Sequence, residues 1–210
     1  MGKSLFEDME EPKKEITIDQ LKVSSKLIPI KYEDIVFNPL TQLSCQNCGF
    51  YGRTFRCPPY NTPYYHTKKV LKEYNNFVLI VAESELSEYE RRFKQMKEKC
   101  PTLSQYRLDN LVGTQLAMKN LGQSQDDLKT LSKFIKSKYT EYKFYGSAGC
   151  HKCRKCAKWL HKPCEYPLDS FSSPEGSGID LYETLRNMGI YVESPPIKRY
   201  LACCLSAWKE

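Results

Sequence analysis

Phe77-Val78-Leu79-Ile80-Val81-Ala82 is an unbroken apolar run in a chain that is otherwise strongly polar. Its length suits a strand, and its lack of alternation suits a strand buried on both faces. Such a strand needs a covering layer on each side, and the flanking sequence offers helices to provide them. Downstream, Ser84 is placed to cap a helix that runs to Lys99, with Leu86, Tyr89, Phe93 and Met96 three or four residues apart. Residues 106–121 predict a second helix, with Leu108, Val112, Leu116 and Met118 as apolar positions and Gly122 as its stop. Ser124 followed by Asp127 starts a further helix in the manner of a capping box, and Leu128, Leu131, Phe134 and Ile135 form its apolar face.

Upstream, residues 66–74 read as a short helix. Residues 27–37 read as an extended segment in which Pro29 suits an edge strand better than a central one. Ile18, Leu21 and Val23 define one face of a short helix before it. Residues 143–145 and 197–208 add two strands, and residues 179–188 a helix stopped by Gly189. Strands alternating with helices predict an α/β fold, a mixed sheet with flanking helices and two cysteine-rich metal-binding loops gathered at one end. Residues 1–14 are charged and aperiodic and read as a loose leader; residues 15–210 read as a single domain.

The two loops interrupt this pattern at residues 45–59 and 150–167, and they hold seven of the ten cysteines. No apolar run approaches the roughly 18 residues of a membrane span, and Met1 to Asp8 lacks the apolar core of a secretory signal. The expected setting is therefore the cytoplasm. In a reducing compartment, dense cysteine points to metal rather than to disulfides. The formal net charge of +7 would favour an acidic partner or nucleic acid, although a solvated Lys/Glu surface accounts for it as well.

The second loop is Cys150-x2-Cys153-x2-Cys156-x7-Cys164, with Pro163 and Pro167 beside the last cysteine. Two intervening residues form a tight turn, so three successive thiolates at this spacing can take three corners of a cube. A fourth cysteine further on with a neighbouring proline resembles the bacterial ferredoxin run. Zinc sites more often draw on two separated CxxC pairs. The spacing therefore favours a [4Fe–4S] cluster, with zinc as the alternative. Lys152, Arg154, Lys155, Lys158 and Lys162 crowd the loop and can offset a cluster's negative charge or receive an acidic redox partner. His151 and His161 read as solvated surface residues.

The first loop, Cys45-x2-Cys48-x8-Cys57-Pro58-Pro59, has three cysteines. It can hold a second cluster with one iron left open, or take a fourth ligand from Cys100, Cys203, Cys204 or Cys164; zinc is again an alternative. Cys203 and Cys204 read as small core residues and Cys100 as a free thiol. Tyr51, Tyr60, Tyr64 and Tyr65 crowd this loop and can form its wall. There is no GxGxxG, Walker loop, HExxH or GxSxG, and no catalytic residue is assigned.

With both loops in hand, the chain resembles a bacterial and archaeal family of predicted metal-binding proteins of unknown function. The resemblance lies in Cys45-x2-Cys48, Tyr51-Gly52 and Cys57-Pro58-Pro59. It continues in Gly146-Ser147-Ala148-Gly149 leading into Cys150-x2-Cys153-x2-Cys156 and Cys164, then in Ser173-Pro174-Glu175-Gly176-Ser177-Gly178-Ile179-Asp180, and covers roughly residues 28–205. It implies metal binding and iron–sulfur content, and no reaction. The expected function is electron transfer to a partner enzyme through one or two [4Fe–4S] clusters. The rivals are a reductase or sulfur-chemistry enzyme using an open iron, and a zinc-stabilised nucleic-acid module. Nucleic acid is the less favoured partner, and a membrane is not expected.

Overall fold

The computed structural model describes residues 18–147, 150, 152–167, 169–190, 192–193 and 198–210. The proposed leader, His151, Ala148, Gly149 and Ile197 lie outside the described residues. After a single 3-10 turn at Ile18–Gln20, the chain forms β1 (Lys26–Ile30), α1 (Pro39–Ser44), α2 (Tyr64–Leu71) and β2 (Asn76–Glu83). There follow α3 (Leu86–Lys99), α4 (Gln105–Lys138), β3 (Tyr142–Tyr145), α5 (Leu181–Asn187) and β4 (Leu201–Trp208). None of the helices is long and apolar enough to cross a membrane, among the described residues.

The sheet runs in the order β1-β2-β4-β3. The α/β class holds, but the four strands pair with one another antiparallel, where a mixed sheet is expected. The apolar run at residues 77–82 lies in β2, an interior strand, and all of those residues are buried. Pro29 lies in β1, at the sheet edge, opposite Val78. The extended segment ends earlier than expected because Asp34 accepts a 2.8 Å hydrogen bond from the Lys31 N–H and turns the chain into a 3-10 turn at Tyr32–Asp34.

Strand alternation divides the interior in two. Phe77, Leu79, Val81, Cys203, Leu205 and Ala207 face a core completed by Leu71 at the end of α2 and by Leu181 and Leu185 of α5. Val78, Ile80, Cys204 and Trp208 face the other side, against Leu128, Leu131 and Ile135 of α4. Tyr89 of α3 packs with Val112 and Leu116 on the first half of α4. The result is helix, sheet, helix.

Two helix boundaries differ from expectation. Ser84 does not cap α3: its hydroxyl accepts from the Tyr200 N–H at 2.9 Å, joining the end of β2 to the start of β4. Nor does Gly122 divide the chain; α4 passes straight through it. Asn120, Ser124 and Asp127 continue the buried stripe that Leu108, Val112 and Leu116 begin. Asp127 accepts from the N–H of Ser25 at 2.8 Å and of Ser24 at 3.2 Å, so it anchors the approach to β1 rather than capping a helix.

Candidate metal centre

The two cysteine loops pack directly on each other. The first joins α1 to α2, and the second joins β3 to α5. Phe37 bridges Ile179, the Asn38 N–H donates to Gly178 O at 2.9 Å, and the Ser173 N–H donates to Arg56 O at 3.1 Å. Arg56 fastens the second loop from below: Nε donates to Ser170 Oγ at 2.7 Å and Nη2 to Pro167 O at 2.6 Å. On the other flank Lys158 donates to Gly52 O and Trp159 Nε1 to Arg53 O at 3.0 Å. Lys158 also lies 4.3 Å from the Tyr60 ring centroid, so this cation is engaged locally.

Cys150, Cys153, Cys156 and Cys164 line one small cavity of about 20 Å³, together with Arg56 and Ser170. Partial burial, then Glu165 and the other three thiols, push the Cys153 thiol above its ordinary range. Cys153 Sγ donates to Glu165 at 3.9 Å, and Cys164 Sγ lies 3.7 Å from Ser170 Oγ. The loop around this small space runs through bends rather than regular structure at residues 152–155. Cys164 therefore sits with its own loop and not with the first.

Cys45, Cys48 and Cys57 line a roomier cavity of about 240 Å³, with Tyr51, Ser173 and Glu175. The Cys45 thiol is pushed up to about 11 by burial, then by Glu175, Cys48 and Cys57. Burial also raises Cys57, while the Thr54 hydroxyl and the backbone N–H of Cys150 hydrogen-bond to its sulfur and pull it back. Cys57 is thus the point where the two thiol groups meet. Among the described residues, no three His, Cys, Asp or Glu are drawn together tightly enough to hold a single metal ion.

Glu175 is the residue the cysteine spacing did not point to. It begins a 3-10 turn at Glu175–Ser177, and burial pushes its carboxyl up. Ser173 Oγ accepts from the Gly176 N–H at 3.1 Å and donates to Glu175 Oε2 at 2.9 Å. The only sequence signal for it was its place in the Ser173–Gly178 stretch.

The remaining candidates are dispersed. Cys203 and Cys204 are buried core residues on opposite faces of β4, as their apolar surroundings predict. Cys204 Sγ donates to Ser124 O at 3.5 Å and accepts from the Ser147 N–H at 3.3 Å. Cys100 follows the last turn of α3. Tyr51 helps wall the first cavity, Tyr64 presses on Gly178, and Tyr65 is exposed. His161 is exposed and lines neither cavity.

No curated protein and no solved structure matches the chain. A family described as "Predicted metal-binding protein (DUF2284)" matches residues 28–205, a span that runs from β1 into β4 and includes both thiol cavities. With most of its length and all seven loop cysteines inside that match, the chain belongs to this family of predicted metal-binding proteins.

Proposed function

We propose that this protein is a cytoplasmic iron–sulfur protein that passes electrons to a partner enzyme. The observation that carries the reading is the sorting of the loop cysteines into two adjoining cavities, one walled by Cys150, Cys153, Cys156 and Cys164 and one by Cys45, Cys48 and Cys57. An all-sulfur set of four at this spacing suits a [4Fe–4S] cluster, and the roomier space among Cys45, Cys48 and Cys57 suits a polynuclear group better than a single zinc ion. Bound in these cavities, such clusters supply one-electron redox couples. The chain's own residues bind them through thiolates, and Thr54 and the Cys150 N–H stabilise the anionic form of Cys57. Arg56 ties the first loop to the end of the second through its bonds to Ser170 and Pro167.

The partner reading rests on the exposed side of the second loop. Lys152, Arg154, Lys155 and Lys162 are exposed there beside Trp159 and Leu160, which are about half exposed at 53% and 51%. Cations around an apolar centre suit an acidic protein surface, and steering by such charges weakens with salt. One observation favours an enzyme as the second reading: neither Cys100, Cys203 nor Cys204 lines the first cavity, so three thiols stand alone as sulfur donors there.

The test is electron paramagnetic resonance on protein purified without oxygen and reduced stepwise. The reading expects signals that Cys150→Ala and Cys45→Ala remove separately. Zinc without iron in the purified protein contradicts it.

A further inference from the structure

The first cavity has three sulfur donors, and each cysteine that could have supplied a fourth lies elsewhere. Cys164 lines the second cavity, Cys203 and Cys204 are in the core, and Cys100 follows α3, which packs on α4 across the sheet. Oxygen donors in the first cavity's wall are Ser44, Tyr51, Ser173 and Glu175, and among the described residues lining it Glu175 is the one carboxylate. We propose that Glu175 is the fourth donor of the first centre, completing with Cys45, Cys48 and Cys57 a set of three thiolates and one carboxylate.

The local structure holds Glu175 there from both ends of the first loop. Gln42, in the helix that leads into Cys45, donates from Nε2 to Gly176 O at 2.9 Å. At the other end, Gly176 lies so close to Pro58 that an added Cβ would sit 2.8 Å from the proline Cδ. Only glycine permits that approach, and it locks the residue after Glu175 against the residue after Cys57. Asn61 adds a 3.3 Å hydrogen bond to Ser177. Ser173 fixes the carboxylate through Oε2, and a carboxylate offers about four acceptor positions, so ligating capacity remains.

A carboxylate oxygen is a harder donor than a thiolate and holds iron less firmly. The first centre therefore has one exchangeable corner covered by the protein's own side chain, whereas the second has sulfur throughout. This inference rests on the iron–sulfur reading.

Mössbauer spectroscopy on protein enriched in iron-57 tests it, alongside metal and acid-labile sulfide content, for the parent chain, Glu175→Gln and Glu175→Cys. The parent should show about one iron in eight with an oxygen-ligated signature. Glu175→Cys should keep the iron and lose that signature. Glu175→Gln should change the signature or release iron from the first centre, with the second centre's signal intact in both. Unchanged spectra in Glu175→Gln, or loss of the first centre from both variants alike, would overturn the assignment of Glu175 while leaving the iron–sulfur reading standing. Absence of labile sulfide from the parent would overturn that reading, and this one with it.

Discussion

Replacing Gly176 with alanine tests whether the two cysteine loops depend on a close backbone approach. The added Cβ would meet Asn61 Nδ2 at 2.7 Å, Pro58 Cδ at 2.8 Å and Pro58 Cγ at 3.2 Å. The Asn61 amide can swing aside only by giving up its hydrogen bond to Ser177. The Pro58 ring is tied to its own backbone and moves only with the chain that carries Cys57. Overpacking of this kind costs about 1–3 kcal/mol. For a chain of this length each kcal/mol lowers the melting temperature by about 2–4 °C, so Gly176→Ala should melt about 2–12 °C lower. Gly122 is the matched control: it is exposed, inside α4, and nothing lies within 4 Å of an added Cβ. Gly122→Ala should raise stability by about 0.5–1 kcal/mol through helix propensity alone. Calorimetry of the metal-free variants reads both shifts, and metal analysis after desalting should show Gly176→Ala losing metal from the first centre before the second. A Gly176→Ala protein as stable and as metal-retentive as the parent would refute the reasoning.

Four further predictions rest on the same geometry. Because burial and neighbouring acids raise Cys45 to about 11, and raise Cys57, Cys203 and Cys204 as well, the folded metal-free chain holds protons that the unfolded chain releases. Its stability is therefore complete below the ordinary thiol value of 9.0 and should fall as pH rises towards about 11; a urea midpoint that stays flat across that window contradicts this. Arg56→Ala removes the two hydrogen bonds to Ser170 and Pro167 and should cost about 2 kcal/mol, with faster metal release from the second loop to a chelator. Cys100→Ala should leave metal content and melting unaltered. Cys204→Ala, which loses a buried thiol and its contacts with Ser124 and Ser147, should lower the melting temperature while leaving metal content unchanged.

Much of this arrangement is legible in the sequence because single strong signals carry it. The run at residues 77–82 has too few polar side chains to lie anywhere but inside a sheet, and Pro29 lacks the N–H an interior strand needs. The grouping of the second loop's cysteines follows from turn length. The continuity of α4 is hidden because its buried stripe becomes polar at Asn120, Ser124 and Asp127, where long-range bonds to Tyr200, Ser147 and Ser25 take the place of apolar contacts. That packing outweighs the propensity cost of about 1 kcal/mol at Gly122. Antiparallel pairing is equally hidden, since β4 enters between β2 and β3 from the end of the chain. Glu175 carries no spacing signal at all: it reaches the first cavity only because residues 173–179 fold back along the first loop, a long-range pairing that local pattern does not encode.

The most direct test of the central claim is iron, zinc and acid-labile sulfide content on the full chain purified without oxygen. Two four-iron clusters give about eight irons and eight sulfides per chain, and that is the expected result. About four of each would confine the cluster to one loop and leave the first cavity without one. Zinc with no sulfide would contradict the account.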